Sequence, residues 1–377
     1  MSKLDNVTFT TNGNTGMTKT PNHKGFLKQQ SKINNRGGDM YVTPMMRGGT
    51  WFWGIEAEVH PLMYCKIYRE IEEKYKNHPT MSDMLKELQR EDIRKSIIDD
   101  LNRKAKFHSG MKSFFMDHLR FVWPWSNDPE RKEEDSVKYS MKHTGKDPIT
   151  FMYDVLTHPE EPHNGILCRP LYNYGTHNMD PLREMFLSDK VVNGFNDAGA
   201  HTKIQCEATA PTTMMTFWCR DRTRGPKLPI ELVVKKQTLD TATMMGLTDR
   251  GVLKPGMRAD VNVINMKTLN CLPPKYKNDM PLGAGRWTQD VTGYHFTICN
   301  GVVTFENGIS TGALPGRIAK NPKRTGIVAN GLKGSIPPAK VLEGGIGAEG
   351  LKELVLEMQA KSNGFSAIQK TLNNSKL

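Results

Sequence analysis

One stretch of the sequence gathers acid–base groups where they can be exposed. The apolar run Val191-Val192-Asn193-Gly194-Phe195 leads directly into Asn196-Asp197-Ala198-Gly199-Ala200-His201. In parallel α/β folds, groups at strand ends stand on an open rim that the sheet holds rigidly. The small residues around Asp197 let backbone or ligand approach its carboxylate closely. A carboxylate so placed can serve as a general base beside a metal ion, activating water and then carrying the proton to a leaving nitrogen. His201, next but three after it, can face the same cavity. The same spacing also suits a plainer arrangement, with Asp197 capping a following helix and His201 a satisfied loop residue. The residues alone leave both readings open.

Other metal-capable side chains carry less signal. His60, His177, Cys168 and Cys206 are scattered with no ligand spacing, and structural roles are expected for them. The cysteines, Cys65, Cys168, Cys206, Cys219, Cys271 and Cys299, form no CxxC pair. Neither a zinc ribbon nor a disulfide scaffold is suggested, and reduced, mostly buried thiols are expected.

The elements that must position Asp197 can be traced along the chain. Residues 1–24 are Thr-, Asn- and Lys-rich and read as disordered or extended. A helix is expected from Pro21, with Phe26, Leu27 and Ile33 on its apolar side and Arg36-Gly37-Gly38 closing it, then a strand at Met40 to Met45. Between His60 and Leu101, apolar residues recur at helical spacing, with Thr80 or Ser82 as a cap. The charged run Asp128 to Asp135 around Glu130 reads as a solvated face. Asp147-Pro148 opens a helix through Leu156. Ile166 to Tyr172, a helix near Pro181 to Leu187, and Val191 to Phe195 form the strand–helix–strand grammar of a parallel sheet. Helices are expected over 212–224 and 229–245. Beyond them Pro255-Gly256, the alternation through Val261 and Val263, and the Asn300-Gly301 hairpin signal make the chain β-rich. Past Pro322 it is Gly-rich, with one helix expected at Ala348 to Met358. The pairs Met45-Met46, Met214-Met215 and Met244-Met245 read as core filler, and Trp51, Trp53, Trp123 and Trp125 as packing under loops.

A chain of 377 residues can hold one large domain or two medium ones, while an apolar fraction of 37% with 33 Gly and 22 Pro implies extensive loops. No apolar run approaches bilayer-spanning length, and the polar N-terminus has no signal-peptide core, so a cytoplasmic protein without membrane contact is expected. The net charge of +12 raises the possibility of a nucleic-acid partner. Acidic residues are interspersed, however, and the densest basic stretch, Arg220 to Arg224, has no interleaved aromatics of the RNA-binding kind. A solvated basic surface is the better reading.

Several segments together resemble the N-acyl-D-amino-acid deacylase (D-aminoacylase) family of the amidohydrolase superfamily, in its C-terminal part. Gly194 to His201 is similar to that family's GLSDGGAH strand end, and Cys206-Glu207-Ala208-Thr209-Ala210-Pro211-Thr212 to its CDASxPT. Trp218 to Gly225 resembles WxRDRxRG. Gly246 to Gly256, with Arg258 to Ile264, resembles GLxDRGxLxPGxRADxNVID, and Gly312 to Arg317 reads GALPGR. Upstream, Val42 to Met45 with Arg47 resembles VTPQVxxRP, and Pro170 to Tyr174 resembles LPLFNY. The resemblance spans about residues 25–320.

What it implies is an α/β fold: the last strands of an incomplete (β/α)8 barrel over residues 25–245 with a helical insertion at about 60–160, part of a small β-sandwich over 246–320, and a Gly-rich tail over 321–377. It implies hydrolysis of N-acyl-D-amino acids, with zinc as cofactor, Asp197 as metal ligand and catalytic base, and His201 as a polar helper. The family holds its zinc by an HxH pair, a bridging ligand and two further histidines. This sequence has no HxH, and His23 reads as a helix-start residue. A truncated or split enzyme, inactive unless an N-terminal half-barrel chain complements it, is therefore expected. The alternatives are a non-catalytic partner subunit or pseudoenzyme, and a basic nucleic-acid-associated protein. Ala198 replaces the first Gly of DGGAH and Glu207 the Asp of CDAS.

Overall fold

Thr8–Asn12 (β1) and Asp39–Thr43 (β2) pair in parallel, from Thr8 opposite Asp39 to Asn12 opposite Thr43, and the helix His23–Asn34 connects them. The run leading to Asp197 takes the next place. Val191 bridges Val42 in parallel, with the Val42 N–H donating to the Lys190 carbonyl and the Val192 N–H to the Val42 carbonyl, each at 3.0 Å. In the computed structural model, residues 8–319 are described apart from 18, 58–59, 76–80, 108–118, 161, 195 and 197. The tail, with the helix expected at Ala348 to Met358, lies outside them.

Residues 8–12 are polar apart from Phe9, and side-chain hydrogen bonds to β2 and its neighbours reinforce their ladder. The Thr8 hydroxyl donates to Asp39 at 2.6 Å, and the Thr43 hydroxyl to the Thr11 carbonyl at 3.1 Å. The crossover helix is pinned from its own face: Gln30 donates to the Lys190 carbonyl at 2.6 Å, and His23, its first residue, lies 2.8 Å from Glu184.

Thr50–Trp53 (β3), Trp123–Pro124 (β4) and Leu167–Pro170 (β5) make a separate antiparallel sheet in the order β3-β5-β4. This corrects the strand–helix–strand reading of residues 166–195. The helix Asp180–Phe186 exists, but only Val191 joins the parallel sheet. All of β5 is buried, and a short apolar run does not encode the direction or identity of its partners.

The helices Lys66–Tyr75, Met81–Leu88, Glu91–Phe107 and Pro148–Thr157 build a core of their own. Tyr68, Ile71, Leu88, Ile97, Tyr153 and Leu156 pack there against Trp53 and Leu167. The Tyr153 hydroxyl donates to the Leu88 carbonyl at 2.6 Å. Asp147 caps the last of these helices, accepting from the N–H groups of Ile149 and Thr150 at 3.0 and 3.1 Å. Such a cap contributes about 1 kcal/mol. Thr80 lies outside the described residues, and Ser82 falls inside the helix that begins at Met81.

The second core joins the strands to the chain's later half through Val42, Met46, Phe52, Trp123, Trp218 and Trp287. Here the helix expected over 212–224 is a short α-turn, Ala210–Thr213, continuing as a π-helix, Met214–Asp221. The wide turn carries buried Trp218, whose indole N–H donates to the Met46 carbonyl at 2.9 Å. The helix expected over 229–245 breaks at Thr238 (φ −119°, ψ −83°). Met245 is exposed, so the Met244-Met245 pair does not fill a core as expected.

The β-rich part contains Val261–Ile264 (β6), Asn270–Lys277 (β7), Arg286–Thr292 (β8), Tyr294–Cys299 (β9), Val302–Glu306 (β10) and Ile309–Ser310 (β11). β7 and β8 pair antiparallel. The other strands form an antiparallel sheet in the order β11-β10-β9-β6. Asn300 and Gly301 both adopt left-handed backbone (φ 52° and 78°), matching a tight hairpin's twist to its strands. No helix among the described residues is long and apolar enough to cross a membrane.

Candidate active site

The ends of β1, β2 and the Val191 segment form one rim, and the motifs around Arg47, Asn173 and Glu207 meet beside it. Beyond β1, Asn14 accepts from the Met45 N–H at 2.7 Å and from Asn173 at 2.9 Å, while the Thr15 N–H donates to Asn173 at 2.7 Å. Asn173, with left-handed backbone (φ 59°), thus ties residues 170–174 to the ends of β1 and β2.

Beyond β2, Arg47 is buried and satisfied by several motifs at once. Its Nε donates to Glu207 at 2.6 Å, Nη1 to the Thr213 hydroxyl at 3.2 Å, and Nη2 to the Cys206 carbonyl at 2.7 Å and to Gln289 of β8 at 3.3 Å. The other oxygen of Glu207 accepts from the Thr50 N–H at 2.8 Å, anchoring the start of β3. Burial opposes the Arg47 charge, but the Glu207 carboxylate, hydrogen-bonded to it, outweighs that and holds the guanidinium above its ordinary range. The longer side chain of Glu207 gives it reach to both partners.

A second buried pair supports the rim from behind. Glu130 accepts from Arg222 Nε and Nη2, both at 2.9 Å, and from the Met179 N–H at 2.7 Å. The run Asp128 to Asp135 is a solvated face at Asp128, Lys132, Glu134 and Asp135, but Glu130 itself is 1% exposed, because its counter-charge arrives from a distant motif. Arg222 also meets Asp180 at 2.7 Å. Arg224 donates to the Glu130 carbonyl at 2.7 Å, and Arg220 to Asp221 and to the carbonyls of Met266 and Leu269. The densest basic stretch is thus spent on internal contacts.

Asp197 itself lies outside the described residues. Its approach is fixed: a Cβ on Gly194 would stand 3.3 Å from Thr43 Cβ, so the segment leaves the sheet packed against the end of β2. His201 has left-handed backbone (φ 51°), and its carbonyl accepts from the N–H groups of Ile204 and Gln205 at 2.9 and 3.0 Å. Its ring is exposed, so what the structure gives it is a turn. The rim also holds polar atoms without partners. Among the described residues, neither amide atom of buried Asn193 has a hydrogen-bond partner, nor do Asn196 Oδ1 and Asn14 Nδ2. Each such buried atom costs about 1–3 kcal/mol, and a bound ligand or water is the usual compensation.

The described residues do not fit a zinc ion. Among the described residues, no group of three or more His, Cys, Asp or Glu side chains can hold one. His60 sits in the helical cluster edge-on to Tyr68, its imidazole pushed down by burial to about 3. His177 stacks on Phe121 at 4.6 Å, also lowered by burial, with Glu133 at 3.2 Å opposing that shift. Burial raises the Cys168 and Cys206 thiols. The six cysteines are free, Cys219 and Cys299 being only partly buried.

The pairs Arg47–Glu207, Asn14–Asn173 and Glu130–Arg222 are what sequence reasoning missed. The signal was present, since all but Asn14 and Glu130 lie in the quoted motifs, yet motif order does not reveal which charges meet.

No curated protein matches the chain. Solved structures of D-aminoacylase are similar over 81% of this chain and 48% of theirs, at 15% identity and a TM-score of 0.38. N-acyl-D-glutamate deacylase from Bordetella bronchiseptica, complexed with zinc and a phosphonate inhibitor, is similar over 79% of this chain and 47% of its own, at 14% identity and a TM-score of 0.36. The chain thus spans about half the length of the solved structures it matches. Residues 104–305 match the model of the amidohydrolase family. That is more than half of the 377 residues, and the chain belongs to the amidohydrolase family.

Proposed function

We propose that this chain carries the strand-end rim of an amidohydrolase acting on N-acyl-D-amino acids, with Asp197 as its acid–base group. Water adds to the acyl carbon as Asp197 takes its proton. The same carboxyl then gives that proton to the leaving nitrogen as the C–N bond breaks, releasing a carboxylate and a D-amino acid. His201 is a positioning residue in this scheme, closing the turn that follows Asp197. The observation that carries the reading is the convergence of Arg47, Asn173 and Glu207, from separate motifs, on the strand ends from which the Asp197 segment departs.

A hydrolytic zinc takes about three protein ligands and leaves a position open for water. The described residues supply no such set. The reading therefore takes those ligands from a complementing half-barrel chain, not from elsewhere in this polypeptide. The same observation favours a second reading, a non-catalytic partner subunit.

Hydrolysis of a panel of N-acetyl-D-amino acids, by the chain alone and mixed with an HxH-bearing half-barrel, separates the two. Turnover that appears on mixing and disappears in Asp197→Asn supports the enzyme. Stable association without turnover in any mixture supports the partner subunit and defeats the catalytic proposal.

A further inference from the structure

A cleft apart from Asn193 and Asn196 opens where the rim, the π-helix, residues 125–131 and the β7–β8 hairpin meet. Its volume of about 40 Å³ is room for roughly three water-sized groups, since one water needs about 10–15 Å³. Phe52 and Trp125 give its lining an apolar part, and Arg47, Thr213 and Arg131 a polar one.

The charges lining this cleft do not balance. Arg47 is matched by Glu207. Asp221 faces the cleft, but both its oxygens accept from Arg220, at 2.6 and 2.8 Å. Arg131 has no carboxylate among the described residues. Its Nε donates to the Ser126 hydroxyl at 3.1 Å and its Nη2 to the Ser126 carbonyl at 2.6 Å, both neutral acceptors. One positive charge, with Nη1 uncommitted among the described residues, is left over in a cleft that Phe52 and Trp125 also line.

We propose that this cleft binds a small carboxylate, held by Arg131 through charge-assisted hydrogen bonds, with its short apolar arm between Phe52 and Trp125. A guanidinium fork matches a carboxylate's two oxygens, and partial exclusion of water strengthens the contact. The site does not depend on Asp197 or on a metal.

Ligand-observed saturation-transfer NMR with acetate, and with acetamide as its neutral counterpart, tests the proposal on the whole chain without turnover. Acetate binds saturably, acetamide does not, and Arg131→Gln weakens acetate at least tenfold, while Arg131→Lys retains part of the binding. Equal signals from acetate and acetamide, no saturable acetate signal, or unchanged affinity in Arg131→Gln would each overturn it. Should Arg131→Gln fail to fold, the acetate–acetamide contrast on the wild type decides alone. Failure here leaves the catalytic reading untouched, and loss of that reading leaves this site standing.

Discussion

Glu207→Asp installs the residue that the resembling family carries, and it is expected to destabilise this chain. In place, the two oxygens of Glu207 reach Arg47 Nε at 2.6 Å and the Thr50 N–H at 2.8 Å, and its side chain is 2% exposed. Removing one methylene withdraws the carboxylate by about 1.5 Å. It then cannot hold both partners at hydrogen-bond distance, and a charge-assisted bond of this kind contributes about 1.5–3 kcal/mol. Glu207→Ala leaves the Arg47 guanidinium buried without its counter-charge and costs about 3–5 kcal/mol. Denaturant unfolding followed by tryptophan fluorescence should rank wild type above Glu207→Asp above Glu207→Ala, with Arg47→Met recovering part of the loss in the Glu207→Ala background. An aspartate variant as stable as wild type would refute the claim that this side chain spans two anchors.

Further outcomes follow from other parts of the fold. His60 is held neutral by burial, with its titration lowered from about 6.5 to about 3, so between these values the unfolded chain binds the extra proton. Stability should therefore fall as pH drops through that window, by up to about 1.4 kcal/mol per pH unit, and His60→Asn should flatten the slope in pH-dependent denaturation. Gly293, between β8 and β9, has φ 88°, and a Cβ there would stand 2.5 Å from the Leu269 backbone. Gly293→Ala should cost about 2 kcal/mol or more and lower the melting temperature, whereas an unchanged melt would show that the turn relaxes freely. Asn193→Ala should leave stability unchanged or raise it slightly, since two unsatisfied atoms vanish, while lowering any hydrolysis by the complemented chain. A clear loss of stability would mean that these atoms have partners in solution.

Local signals were legible in the sequence where a residue acts on its own neighbours. Asp147-Pro148 caps and starts a helix, Asn300-Gly301 turns a hairpin, and the helix at His23 begins and ends near its turn residues. What the sequence did not reveal were choices made by distant partners. Leu167 to Pro170 is an apolar run compatible with either strand direction, and the antiparallel choice depends on residues 50–53 and 123–124. Glu130 looked solvated because its neighbours are charged, and only Arg222 makes its burial tolerable. Of the strand expected over Val191 to Phe195, only Val191 bridges β2, and the spacing of Asp197 and His201 did not reveal that His201 is exposed.

Zinc content of the purified chain, measured with its N-acyl-D-amino-acid hydrolysis in wild type and Asp197→Asn, bears most directly on the proposed division of labour. The account predicts far less than one zinc per chain and no turnover until a half-barrel partner is added, with the asparagine variant inactive even then. Stoichiometric zinc in the chain alone, or hydrolysis that Asp197→Asn leaves intact, would contradict it.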